Sequence, residues 1–136
     1  MSVPDGFFDT SILLYLLSGD DAKADAAEAL LSQGGHISVQ VLNEFASVAT
    51  RKLGMTHAEV RDALEPIRAI CPTHALTEAT HDLGVQLAER YKLSIYDAMI
   101  AAAALTAGCT ALFSEDMQHG LLIERTLRIQ NPFHQA

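Results

Sequence analysis

Cysteine is scarce in this chain: there are 2 in 136 residues. Cys71 and Cys109 stand in apolar surroundings with no CxxC spacing and no histidine pattern nearby, which excludes a zinc cage or a redox motif and leaves buried free thiols. Proline is also rare, with 4 residues, and no low-complexity tract occurs; with 49% hydrophobic and 19% charged residues, intrinsic disorder is excluded. Long apolar runs are missing. The most apolar stretch, residues 98–105, falls far short of the roughly 20 residues a membrane-spanning helix needs. Residues 1–6 have neither a basic start nor an apolar segment of the kind that directs export, so the expected location is cytoplasmic. Positive charge is in short supply as well, 9 Lys plus Arg against 17 Asp plus Glu, for a net charge of -8. Such a chain binds a polyanion only with help, and divalent cations shared among its carboxylates are one source.

What is present is enough for one domain. A chain of 136 residues buries a substantial core but not two, so a single domain over residues 1–136 is expected. Phe7-Phe8 reads as a short buried strand, and Asp9-Thr10-Ser11 ends it and opens a helix over residues 12–17. An alanine-rich run over 22–31 makes a second helix, closed by Gly34-Gly35. His36-Ile37-Ser38 is a second strand. The next helix carries Val41, Leu42, Phe45, Val48 and Ala49 at intervals of three and four and ends near Gly54. Thr56 and Glu59 form a capping box for a helix through Ile67, followed by a candidate strand at Ile70-Cys71-Pro72. Helices over 77–91 and 95–107, a strand at Ala111-Leu112-Phe113 and a last strand at Leu127-Arg128-Ile129 complete the chain. Short strands alternating with helices predict a parallel-sheet α/β domain with its ligand at the carboxyl ends of the strands.

Two carboxylates follow apolar strands: Asp9 directly, and Asp116 two residues beyond Phe113. If those strands are neighbours, both side chains emerge at one sheet edge. Glu44 falls roughly 120° from the middle of its helix's apolar stripe, at about 3.6 residues per turn. Asp97 sits in the first turn of an otherwise apolar helix, between Ile95 and Met99. Carboxylates gathered this closely raise one another's pKa unless a cation intervenes, and hard oxygen donors suit Mg²⁺ or Mn²⁺ rather than zinc. One or two such ions activate water and stabilise the leaving oxygen of a phosphodiester. Each acid also has an ordinary explanation. Asp9 can be an N-cap, Asp97 the fourth residue of the capping-box-like Ser94-Ile95-Tyr96-Asp97, Glu44 a solvated helix edge and Asp116 a turn residue.

Taken in order, Phe8-Asp9-Thr10-Ser11, Asn43-Glu44-Phe45, Tyr96-Asp97-Ala98-Met99-Ile100-Ala101-Ala102-Ala103 and Ser114-Glu115-Asp116-Met117-Gln118-His119-Gly120 resemble the PIN-domain pattern, especially that of VapC toxins, over essentially the whole chain. The resemblance implies a three-layer α/β/α domain with a short central parallel sheet flanked by helices. It implies a Mg²⁺-dependent endoribonuclease, with Mn²⁺ as substitute, acting on RNA as a toxin. Asp9, Glu44, Asp97 and Asp116 match the family's metal-binding acids and Ser114 its supporting hydroxyl, while Thr10 or Ser11 would orient Asp9. In a common version of the last motif Asn replaces Asp116 and an acid replaces His119, so Asp116 is the expected ligand here, often through water, with Glu115 and His119 secondary. The family's partner is a cognate antitoxin whose tail crosses the acidic groove, often inserting a basic side chain that competes with metal. Leu13, Leu14, Leu16 and Leu17 outnumber the needs of one core face and serve either antitoxin binding, a homodimer or plain core packing.

His119 beside the acids invites a general-acid role, against a turn-bonding one; His36, His57, His74, His81 and His134 lack ligand spacing and are read as structural. Arg51-Lys52, Arg90 and Lys92 are candidate phosphate contacts, although basic residues at helix ends also suit the macrodipole. Two rival functions remain. An aspartate-nucleophile phosphatase expects a second Asp two residues after Asp9, where Ser11 stands. A degenerate PIN fold would serve as a non-catalytic RNA- or partner-binding module.

Overall fold

The structure is a computed structural model that describes residues 5–133; the expectations for residues 1–4 and His134 lie outside the described residues. In chain order the elements are β1 (Gly6–Phe8), α1 (Thr10–Tyr15), α2 (Asp21–Ser32), β2 (Ile37–Ser38), α3 (Val39–Lys52), α4 (His57–Ile70), β3 (Thr73–His74), α5 (Glu78–Tyr91), α6 (Ile95–Thr106), β4 (Ala111–Phe113), β5 (Leu122–Ile123) and β6 (Leu127–Gln130). They form the expected three-layer α/β/α fold around a central sheet that is parallel except at one edge.

That sheet runs β1-β4-β6-β5, and a parallel pair β2-β3 joins it through a bridge from Phe7 to His36. The register decides where the chemistry lies. Phe8 pairs with Phe113 across the parallel strands β1 and β4, so both strands stop at the same level and Asp9 and Ser114 leave the sheet side by side. The backbone continues the alignment, Asp9 N–H donating to the Phe113 carbonyl at 2.9 Å and Ser114 N–H to that of Gln130 at 3.0 Å. The interior faces of these strands are apolar, with Phe7, Phe8, Leu112, Leu127 and Ile129 buried.

The helices start where their first residues can satisfy free N–H groups. Asp20, Ser38, Thr56, Thr77 and Ser94 each accept a main-chain N–H of the turn they cap. Helix α6 is apolar all round, and Ala98 through Ala104 are all buried, which fits a helix enclosed on several sides. Its small residues allow close packing against α5. There Gly84 leaves room for the Met99 side chain, whose sulfur would lie 2.6 Å from a Cβ at that position and would have to shift to admit one.

Two expectations need correction. The third strand is not Ile70-Cys71-Pro72 but Thr73–His74: Val60, Leu64 and Ile67 keep helical spacing, α4 runs on to Ile70, and buried Cys71 closes it with an N–H to the Ile67 carbonyl at 2.9 Å. The sheet also gains an antiparallel edge, because β5 pairs with β6 through a tight turn containing Glu124 and Arg125, both at positive φ. A two-residue strand carries too little alternation to be read from sequence.

Candidate active site

Asp9 occupies the N-cap position of α1, yet its side chain makes no capping bond. Instead a single oxygen, Oδ2, accepts two hydroxyls: Ser11 Oγ at 2.9 Å and Ser114 Oγ at 2.8 Å. The capping explanation for Asp9 therefore fails. The carboxylate is 2% exposed and has no cation against it among the described residues. Its pKa is raised to about 6, chiefly by burial and further by the charges of Asp97 and Asp116, against the lowering pull of the two serine hydroxyls.

Ser114 ties this arrangement together. Its hydroxyl oxygen donates to Asp9 and accepts the N–H groups of Asp116 and Met117, each at 3.1 Å, so one fully buried side chain fixes both Asp9 and the loop that carries Asp116. Ser11 acts likewise from the other side, donating to Asp9 and accepting the Glu115 N–H at 3.2 Å.

Glu44 is not a solvated helix-edge charge. Thr10 Oγ1 donates to its Oε1 at 3.0 Å, and Gln40 Nε2, one turn earlier on α3, donates to its Oε2 at 2.8 Å. Thr10 thus orients Glu44, while Ser11 orients Asp9. Asp97 lies in the first turn of α6, where its N–H bonds to Ser94 Oγ at 3.2 Å. Its pKa is raised, first by burial and then by the charges of Glu44 and Asp116, while Ser94 acts the other way. Asp116 is exposed and its pKa is also raised, by partial desolvation and by neighbouring Glu115. The four acids expected from sequence, on four separate elements or loops, thus act on one another's charge.

They do not close into a tight cage. Among the described residues no three His, Cys, Asp or Glu side chains form a group able to hold a metal ion by themselves. The donor chemistry nevertheless fits a hard cation, since the converging groups are carboxylates with hydroxyls behind them and no thiol. An ion such as Mg²⁺ keeps several waters and takes only one or two carboxylates directly, so a closed all-protein cage is not what it requires.

The remaining candidates separate clearly. Glu115 turns away from the acids, bonded to the Tyr15 hydroxyl and ion-paired with Lys23 at 3.2 Å. His119 accepts the Asn131 N–H at Nδ1, 3.0 Å, which is the turn-bonding role. Arg51 donates to Ser47 at 3.0 Å, and Arg90 pairs with Glu124. Cys71 and Cys109 are free and buried, and burial pushes both thiols up to about 11, so they stay protonated. Leu13 belongs to the core, whereas Leu14 and Leu17 line a groove with Tyr15, Val48, Leu53 and Asp116. Sequence reasoning missed Gln40, although a Gln four residues before Glu44 on a helix is a findable pair.

Residues 6–120 match the PIN domain family. The chain belongs to the PIN-domain family. Solved structures with the same fold include VapC20 of Mycobacterium tuberculosis, a sarcin-ricin loop cleaving toxin, at 21% identity with a TM-score of 0.67, covering 82% of this chain and 91% of that one. A toxin-antitoxin complex from Klebsiella pneumoniae gives 20% identity and a TM-score of 0.72, covering 96% and 99%. VapBC2 of Rickettsia felis, bound to a DNA fragment from its promoter, gives 17% and 0.64, covering 93% and 98%. At these identities the likeness is one of fold, and that fold is the one VapC toxins share. No curated protein matches the sequence. In this PIN domain, β1 and β4 deliver Asp9 and Ser114, α3 delivers Glu44 and α6 delivers Asp97.

Proposed function

We propose that the protein is a divalent-metal-dependent endoribonuclease that hydrolyses RNA phosphodiester bonds, acting as a VapC-like toxin held in check by a cognate antitoxin. One observation carries this reading: Asp9 is buried at the end of β1, braced by two hydroxyls from separate segments, and has no cation against it among the described residues, while Asp97 and Asp116 add negative charge to it. A fold tolerates such repulsion where a cation completes the site.

Asp9, Asp97 and Asp116, with Glu44 behind them, are the residues proposed to hold the ion, Mg²⁺ or its substitute Mn²⁺. When bound it supplies positive charge for the phosphodiester oxygens and acidifies a water molecule. The chain's own contribution is orientation. Ser114 and Ser11 both engage Asp9 Oδ2 and so fix the carboxylate in place, and Thr10 with Gln40 sets the Glu44 carboxylate. Asp116, exposed at the rim, is the acid best placed to hold and turn a water.

The antitoxin is proposed to use the groove lined by Leu14, Tyr15, Leu17, Val48 and Leu53, which opens beside Asp116. A homodimer is proposed through the exposed Leu76, Ile95 and Tyr96, an apolar group that a lone chain would leave in water. No described helix is long and apolar enough to cross a membrane, and a cytoplasmic location is part of the proposal. The absence of a closed cage among the described acids favours, as a second reading, a non-catalytic RNA-binding scaffold. Cleavage of a mixed RNA pool separates the two. The nuclease reading expects cleavage with Mg²⁺ or Mn²⁺, arrest by EDTA and loss in Asp97→Asn; cleavage that persists in that variant overturns it.

A further inference from the structure

The described residues include a second polar cluster, which the proposed reaction does not use. The Glu115 side chain leaves the acidic centre and enters a pocket made by α1, α2 and the C-terminal segment. One carboxylate oxygen takes the Tyr15 hydroxyl, and the other takes Lys23 Nζ at 3.2 Å. Lys23 Nζ also lies 3.4 Å from the Tyr15 hydroxyl, 4.8 Å from the centre of the Tyr15 ring and 5.6 Å from that of Phe133. Phe133 packs edge-on against Tyr15, centroids 4.8 Å apart. Both Glu115 oxygens are thus engaged, by a hydroxyl and by a cation held over aromatic faces.

The backbone of the same residue is fixed to the acids. Its N–H donates to Ser11, which donates to Asp9; the residue before it, Ser114, also donates to Asp9; the residue after it is Asp116. The 114–116 segment is therefore gripped on its inner side by the Asp9 serines and on its outer side by Tyr15 and Lys23. Without the outer grip, Glu115 would be a fifth carboxylate free to swing beside four others, and the segment carrying Asp116 would be held from its inner side only, by Ser11 and Ser114.

We infer that Glu115 is a positioning residue rather than a metal ligand: Tyr15 and Lys23 clamp it outward, and the clamp sets the place of Asp116 and the order of the loop. This rests on the reading of Asp116 as part of a cation site, but the loop order itself is testable without cation or RNA.

The experiment compares Tyr15→Phe, Lys23→Met, Lys23→Arg and Glu115→Gln with wild type by three measurements. These are amide hydrogen exchange at residues 115–117 in metal-free protein, Mn²⁺ binding to RNA-free protein by calorimetry, and kcat and KM for RNA cleavage. Partners of this kind typically change affinity or activity by 10–100-fold. Tyr15→Phe and Lys23→Met are expected to speed exchange at 115–117, weaken Mn²⁺ binding about tenfold and lower kcat by a similar factor, with KM within about twofold. Lys23→Arg is expected to restore most of the loss. Tyr15→Phe keeps the ring packing, so it reads the clamp even if Lys23→Met disturbs α2. The inference is overturned if Glu115→Gln abolishes Mn²⁺ binding while Tyr15→Phe and Lys23→Met leave it unchanged, since Glu115 is then a ligand. It is equally overturned if Lys23→Met raises only KM, since Lys23 is then a phosphate contact, or if exchange and Mn²⁺ binding do not move. Wild-type protein that cleaves no RNA sinks the nuclease reading, while exchange and Mn²⁺ binding still decide the clamp.

Discussion

Asp9 and Glu115 touch the same serine yet live under opposite electrostatic rules. Glu115, partly exposed, is given a hydroxyl and an ammonium. Asp9, nearly inaccessible, is given two serine hydroxyls and two more carboxylates at a distance, with no cation among the described residues. Burial makes a carboxylate harder to ionise, so a fold selected only for stability would place its lysine by Asp9 and leave Glu115 to water. The chain does the reverse. On the proposed reading, Asp9 is a charge kept for an incoming cation and Glu115 a charge spent on holding structure.

The strongest way to break this contrast is to neutralise the two acids separately. Asp9→Asn is expected to lower RNA cleavage by at least about 100-fold, the scale of a lost electrostatic group in a catalytic site. Asn offers one oxygen to accept both serine hydroxyls, so the variant should remain folded. Cleavage rates together with circular dichroism check this, and an unfolded Asp9→Asn protein would restore the purely structural reading.

Stability should move the other way. Because folding raises the Asp9 pKa to about 6 from 3.8, the folded chain between those values holds a proton that the unfolded chain has released. That contribution is fully present below pH about 4 and is lost as pH rises through about 6. About two units correspond to at most about 3 kcal/mol. Metal-free wild type is therefore expected to lose stability from pH 4 to 6 in urea unfolding, and Asp9→Asn to be flatter over that window and more stable at pH 7. Added Mg²⁺ should recover stability in wild type more than in the variant, as a ligand that binds only the folded state must.

Ser114→Ala sharpens the contrast at intermediate size. Removing one of the two donors that favour ionised Asp9, and the acceptor for two loop N–H groups, should cost about tenfold in cleavage and raise the Asp9 pKa further. Carbon NMR of the Asp9 carboxyl reads the second effect directly. The smallest effect is expected at the exposed Arg90–Glu124 pair, far from both clusters in role. Arg90→Met should change stability by about 0.5 kcal/mol or less and leave the metal dependence of cleavage untouched.

How much of this was legible beforehand follows from the range of each interaction. Helices α2 to α6 were readable because caps such as Ser38, Thr56 and Thr77 and the spacing of Val41, Phe45 and Ala49 are local signals. Strand β3 was misplaced by three residues, since Ile67-to-Cys71 carries helical and strand character equally and only packing of α4 arbitrates. Of the candidate site, Asp9, Glu44, Asp97 and Asp116 were identified by their places after strands and on apolar helices, and by family resemblance. Their partners divide by distance. Ser11 and Gln40 lie within four residues of the acids they hold and leave a trace in the sequence. Tyr15, Lys23 and Glu115 span a hundred positions, and His36 and His74, whose ring nitrogens meet at 2.8 Å, span 38, with no pattern to pair them.

The sequence by itself determined which carboxylates exist, where each sits relative to a strand end or helix start, and that the chain as a whole is short of positive charge. Only the tertiary structure decided which acid, among the described residues, goes without a cation and which is paired with one. The reason is physical: propensity and periodicity act over a few residues, whereas desolvation and ion pairing depend on what lies within a few ångströms in space. The Phe8–Phe113 register and the docking of α2 beside the Glu115 loop are what set those distances here.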